Sequence, residues 1–149
     1  MRTAGTNPAR NDTVTSPMFA PASVSGAGSR AVRSSTQVAS SCTRARRSSS
    51  APPLTWSTEL AAEATAWANQ LAANGCAFQH SQSDHGENLA AGTSGALDAD
   101  AVVAMWAREE EKYDYKRPAF SLKTGHFTQV VWKDTLAIGC GVATCAGKD

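Results

Sequence analysis

The sequence predicts an α+β domain preceded by a tail of different composition. Three observations carry this. Two stretches, about Thr58–Ala73 and Leu97–Tyr113, repeat apolar residues at helical spacing. Two later stretches, Gly125–Trp132 and Thr135–Val142, read as strands. The material before Ala51 is unlike the material after it.

The border is one of charge and bulk. Residues 1–50 hold seven arginines, no lysine and a single acid, net +6, whereas residues 51–149 hold seven bases and twelve acids, net −5. All four tryptophans lie after the border. Residues 1–51 have few large apolar side chains and no periodicity, so disorder is expected there. An Arg- and Ser-rich, acid-poor head also fits an organelle transit peptide, but an amphipathic stripe is lacking. Arg44, Arg46 and Arg47 have no aromatic residues interleaved, so no nucleic-acid partner is expected. The expected organisation is a tail over 1–51 and a domain over 52–149. At 149 residues the chain has the size of one domain with a core of its own.

The helix over 58–73 buries Leu60, Ala64, Trp67 and Leu71, at i, i+4, i+7 and i+11. Asn74-Gly75 ends it, glycine suiting the left-handed cap position. The helix over 97–113 opens with Asp98 and Asp100, placed at the positive end of its dipole. Its stripe is Val102, Met105, Trp106, Glu109 and Tyr113. The stripe separates three consecutive acids: Glu109 lies on it, and Glu110 and Glu111 rotate away into solvent. An acid on a buried stripe needs a partner. Pro118 then breaks the helical pattern, and the segment Tyr113–Phe120 interleaves aromatic and charged residues as an exposed, sticky loop. In Gly125-His126-Phe127-Thr128-Gln129-Val130-Val131-Trp132 the side chains alternate. With Thr135–Val142 this predicts an antiparallel hairpin.

Chemistry concentrates in His80, Glu87, Glu109 and His126. Imidazole nitrogen with carboxylate oxygen suits zinc or a similar divalent ion. The same groups also suit acid–base work, with each carboxylate orienting a histidine. No C-x-x-C pair occurs among Cys42, Cys76, Cys140 and Cys145, which argues against zinc-ribbon and thioredoxin-like sites. No apolar run approaches the roughly 18 residues of a membrane span, and no signal peptide is recognisable near the N-terminus.

From Pro52 onward the chain resembles the CAP superfamily of cysteine-rich secretory, antigen 5 and pathogenesis-related proteins, and is most similar to fungal secreted members. The resemblance is carried by Leu54-Thr55-Trp56, Phe78-Gln79-His80-Ser81, His85-Gly86-Glu87-Asn88-Leu89-Ala90, Trp106-x-x-Glu109-x-x-x-Tyr113, the Gly125–Trp132 segment and Gly139-Cys140-Gly141. It implies an α-β-α sandwich with a short antiparallel sheet and a cavity lined by His80, Glu87, Glu109 and His126. It implies a divalent metal, often zinc, held by His80 and His126, with His85 outside the cavity. It implies an extracellular protein binding a sterol or other small lipid such as a fatty acid, with Tyr113, Tyr115 and Phe120 as the lipid-binding loop. A monomer is expected, without a transmembrane segment, though with room for transient membrane contact. An enzyme is the less favoured reading, its form being a metal-dependent hydrolase or protease built on the same four residues.

The resemblance also implies a Cys76–Cys145 disulfide, with Cys140 lacking its usual partner. Two departures accompany it. The His-Asn pair that precedes the Pro-Pro-Leu-Thr-Trp piece in the family is absent, so the first helix is expected to be incomplete. The last strand is expected to be missing, leaving an open sheet edge. On these grounds a truncated, non-functional gene product is a further expectation.

Overall fold

The computed structural model describes residues 14–23, 35–93 and 98–144. The element order is β1 (Val14–Ser23), α1 (Ser35–Ala45), β2 (Thr55–Trp56), α2 (Thr58–Ala73), β3 (Asn88–Leu89), β4 (Gly92–Thr93), α3 (Ala99–Ala107), α4 (Gly125–Val130) and β5 (Thr135–Ala143). A 3-10 turn over Arg47–Ser49 follows α1, and another over Arg108–Lys112 continues α3.

Helix α2 has the predicted bounds and forms for the predicted reasons. Ser57 caps it by accepting from the Leu60 amide. Gly75 after its C-terminus has φ +71°, which suits a residue without Cβ. Its buried residues are Leu60, Ala64, Ala68 and Leu71. Trp67 sits at the rim instead, donating its indole N–H to the Gln79 carbonyl.

Strand β5 organises the packing by its alternation. Gly139 and Gly141 face α2, where a Cβ would come within 2.2–2.3 Å of the helix backbone at Ala61 and Ala64. Only glycine permits so close an approach. Ala143, on the same side, joins Ala64, Ala68, Leu71 and Leu89 in one apolar cluster. Ile138 and Cys140 point the other way, into a second cluster with Val38, Cys42, Val102, Val103, Trp106 and Val130. Helices therefore lie against both faces of β5.

Four expectations are corrected. The first concerns Gly125–Trp132. Residues 125–130 form the helix α4, not a strand. Six residues cannot sustain a helix alone, but side chains from elsewhere satisfy both ends. Glu109 Oε2 accepts from the His126 and Phe127 amides at 3.0 and 3.2 Å. At the other end Arg46 donates to the carbonyls of Val130, Trp132 and Thr135 at 3.1, 3.1 and 3.0 Å. Phe127 and Val130, three residues apart, are the buried face.

The second correction concerns the sheet. The described pairings are parallel, in the order β2-β5-β1-β3, with β4 also on β1. β5 has β2 on one side and β1 on the other, so the open edge expected beside it is occupied.

The third correction concerns the tail. Strand β1 and helix α1 both fall within the segment expected to be disordered, whose residues 1–13 and 24–34 lie outside the described residues. Helix α1 starts directly after residues that lie outside the described ones, so the expectation that the first helix is incomplete falls partly outside them. The helix holds Val38 and Cys42 in the core and donates to Asp100 of α3 from Gln37 and Ser41.

The fourth correction concerns α3. Met105 is exposed, and Val103 takes its place in the core beside Val102 and Trp106.

A pH dependence follows from the α1–α3 contact. The hydrogen bonds from Ser41 and then Gln37 hold the Asp100 carboxyl below its ordinary 3.8. A folded-state pKa below the unfolded one gives stability that is present above the unfolded value and lost as pH falls through the folded one. Asp100→Asn is therefore expected to show a shallower fall in urea midpoint below about pH 4 than the parent.

Candidate functional site

The four residues singled out form two histidine–carboxylate pairs. His80 sits in the segment after α2, and its Nδ1 lies 2.5 Å from Glu87 Oε1. Glu87 is almost covered, its side chain 5% exposed, whereas that of His80 is 60% exposed. The Ser81 amide also donates to Glu87, at 3.1 Å. His126 lies in the first turn of α4, with Nδ1 2.8 Å from Glu109 Oε1. Trp106 stacks on its ring, with centroids 6.0 Å apart and planes 15° from parallel.

The geometry assigns a role to each atom. A carboxylate can only accept, so each imidazole donates from Nδ1. In the neutral ring that leaves the lone pair on Nε2, the usual consequence of a carboxylate behind a histidine. Glu109 holds three donors at once: the imidazole and the amides of His126 and Phe127. Glu109 is partnered, as expected, but Glu110, expected in solvent, is equally half-buried and accepts from the Tyr115 hydroxyl, because the α-helix has already given way to a 3-10 turn at Arg108.

Asn88 is a residue that sequence reasoning missed. It is buried, directly follows Glu87, and its Nδ2 donates to the His126 carbonyl at 3.0 Å. It therefore ties the strand beside one pair to the helix that carries the other. A buried amide between Glu87 and the apolar Leu89-Ala90 was the available signal. Arg46 was also missed. It is a buried structural cation, its pKa lowered by burial, and its bonds to α4 leave it no nucleic-acid role.

His85 stands apart from both pairs, its Nε2 3.3 Å from Glu63 of α2. Among the described residues no group of three or more His, Cys, Asp or Glu is gathered as a metal site. The two carboxylates are turned to the Nδ1 atoms of their own histidines, so the four residues stand as two His–Glu pairs rather than as one ligand cluster. Cys140 carries a free thiol. Burial pushes the Cys140 and Cys42 thiols up to about 12, which disfavours the thiolate form at both. The expected Cys76 partner, Cys145, lies outside the described residues.

The loop between the 3-10 turn and α4 is anchored and exposed at once. Tyr113 packs edge-on against Phe127, with centroids 5.4 Å apart. Tyr115 donates to Glu110, which pushes its pKa up to about 12. Thr124 is buried and hydrogen-bonded to Ser121. Between these anchors Tyr115 is 60% and Phe120 72% exposed. A side chain at Gly125 would come within 3.3 Å of the Phe120 ring, so that ring covers the residue preceding His126.

Comparison with known proteins identifies the class. Residues 39–149 match the model of the CAP, or cysteine-rich secretory protein, family. Protein PRY2 of Saccharomyces cerevisiae is 45% identical over 97 residues, covering 64% of this chain and 27% of the yeast protein. Pathogenesis-related protein 1A of Nicotiana tabacum is 41% identical over 95 residues, covering 62% of this chain and 56% of its own length. Pathogenesis-related protein 1A1 of Solanum lycopersicum is 42% identical over 103 residues, covering 68% and 58%. The chain spans about a quarter of the yeast protein and just over half of the plant ones. It belongs to the CAP family.

Proposed function

We propose that the chain is an extracellular CAP domain that binds a small hydrophobic ligand, a sterol or fatty acid, through the loop Tyr113–Phe120. The observation that carries this reading is the pair of aromatic faces, Tyr115 and Phe120, held out to solvent on an anchored loop beside His126. Large exposed apolar surface on an ordered loop marks a binding element more often than a solvated one. The His80–Glu87 and His126–Glu109 pairs give the neighbouring surface its shape. A divalent ion would take the Nε2 atoms of His80 and His126, completing its shell with water, and would supply Lewis acidity there. A Cys76–Cys145 bridge would fasten the end of α2 to the segment after β5.

The binding reading is preferred over hydrolysis for a geometric reason. Both carboxylates are committed to an imidazole and to backbone amides, so neither is offered as a base for a water molecule. The test is equilibrium binding of a labelled sterol to the full chain. Phe120→Ala is expected to weaken binding by about tenfold or more, from the lost ring burial. Unchanged affinity would remove the loop from the site.

A further inference from the structure

We propose that the segment from Lys112 to Lys123 docks the protein on an anionic lipid bilayer, with Phe120 and Leu122 entering the interface. This rests on the reading of the loop as the lipid-contacting element, and adds a second surface to it. Leu122 is 92% exposed, beyond what the wall of a ligand pocket would show, and Phe120, two residues before it, is 72% exposed. Both belong to a loop held at its ends, on one side by the Tyr113–Phe127 contact and on the other by the hydrogen bond between Ser121 and Thr124. The apolar tips are thus presented in a fixed geometry, and insertion does not require the loop to be ordered first.

Charge selects the occupant. The segment carries Lys112, Lys116, Arg117 and Lys123 against Asp114 alone, net +3, inside a body of residues 51–149 whose net charge is −5. Asp114 is itself occupied by Arg117 at 3.1 Å and by the Lys116 amide at 2.9 Å. Glu110 and Glu111 stand just upstream and keep their charges, Glu110 also accepting from the Tyr115 hydroxyl, so the cationic run is the one from Lys112 to Lys123. Basic side chains flanking exposed aromatic and aliphatic tips are the combination that binds an anionic interface, the cations at the headgroups and the apolar groups below them. A purely apolar protein partner would gain nothing from the four cations. A bilayer is also the phase in which a sterol or fatty acid resides, so the same loop would meet ligand and membrane together.

The experiment is co-sedimentation of the full chain with phosphatidylcholine vesicles, with and without phosphatidylserine. Binding is expected only with phosphatidylserine present, and it should weaken as salt rises. Leu122→Asp is expected to lower partitioning by about tenfold or more. The double charge reversal Lys116→Glu with Lys123→Glu is expected to lower it by at least about twentyfold, taking about fivefold per lysine. These side chains are exposed, so circular dichroism should find the variants folded. Absence of wild-type binding to anionic vesicles, or binding indifferent to both variants, would overturn the proposal. Leu122 lies outside the proposed sterol contacts, which separates the two readings. Loss of vesicle binding by Leu122→Asp with sterol affinity retained supports both. Intact vesicle binding by a wild type that fails to bind sterol supports the dock and removes only the sterol reading.

Discussion

Replacing Arg46 by alanine is expected to cost about 3–5 kcal/mol, a large share of the stability of a domain this size. The guanidinium is buried and serves three carbonyls, Val130 at the end of α4, Trp132 in the connection after it, and Thr135 at the start of β5. Removing it leaves these acceptors without their donor at the negative end of a helix, where a cation is best placed. Arg46→Lys is expected to recover little, because a single ammonium cannot fork across all three. Urea unfolding should report a lower midpoint for both variants, with the slope unchanged if only stability is lost. A midpoint within error of the parent would mean that α4 stands without this support.

The second large effect is expected at Glu109. Glu109→Ala removes the acceptor for two amides and an imidazole. The cost should be about 2–3 kcal/mol, the upper range for a lost charged acceptor, and His126 should lose its fixed ring orientation. Glu109→Gln keeps the volume but turns an NH2 group towards donors, so it should recover only part of the loss. Glu111→Gln is the control and should stay within about 0.5 kcal/mol of the parent. Equal effects at Glu109 and Glu111 would contradict the special placement of Glu109.

The same two residues explain why part of the fold was legible in the sequence and part was not. Helix α2 could be read with its bounds because its cap, its apolar spacing and its terminal glycine all lie within the segment. Strand β5 could be read because its alternation is local. Helix α4 could not. Over six residues, apolar side chains at Phe127 and Val130 fit a strand or a helix. What decides between them is a carboxylate 17 residues upstream and a guanidinium 84 residues upstream. With α4 mistaken for a strand, β5 was given an antiparallel partner it does not have. Strand β1 was hidden for another reason. Pro17 and Pro21 each remove an N–H from its ladder, a composition that argues against a strand between two neighbours.

The candidate site was more legible than the fold around it. His80, Glu87, Glu109 and His126 were identifiable by residue type and motif, and Glu109 also by helical phase. Their arrangement as two separate pairs was not, because it depends on which ring nitrogen meets which carboxylate. Asn88 could be signalled by its place between Glu87 and the apolar Leu89-Ala90, but its partner, the His126 backbone carbonyl, is one to which no sequence pattern points.

At the centre of the site each histidine is held by its own glutamate through Nδ1, which leaves Nε2 as the lone-pair nitrogen of the neutral ring. Long-range 1H–15N correlation spectra of the imidazole rings in the full chain, recorded under alkaline conditions where the rings are neutral, test this most directly. His80 and His126 are both expected to show the Nδ1–H tautomer, and His126 is expected to lose it in Glu109→Ala while His80 keeps it. Nε2–H tautomers at His80 and His126 in the parent would contradict this arrangement.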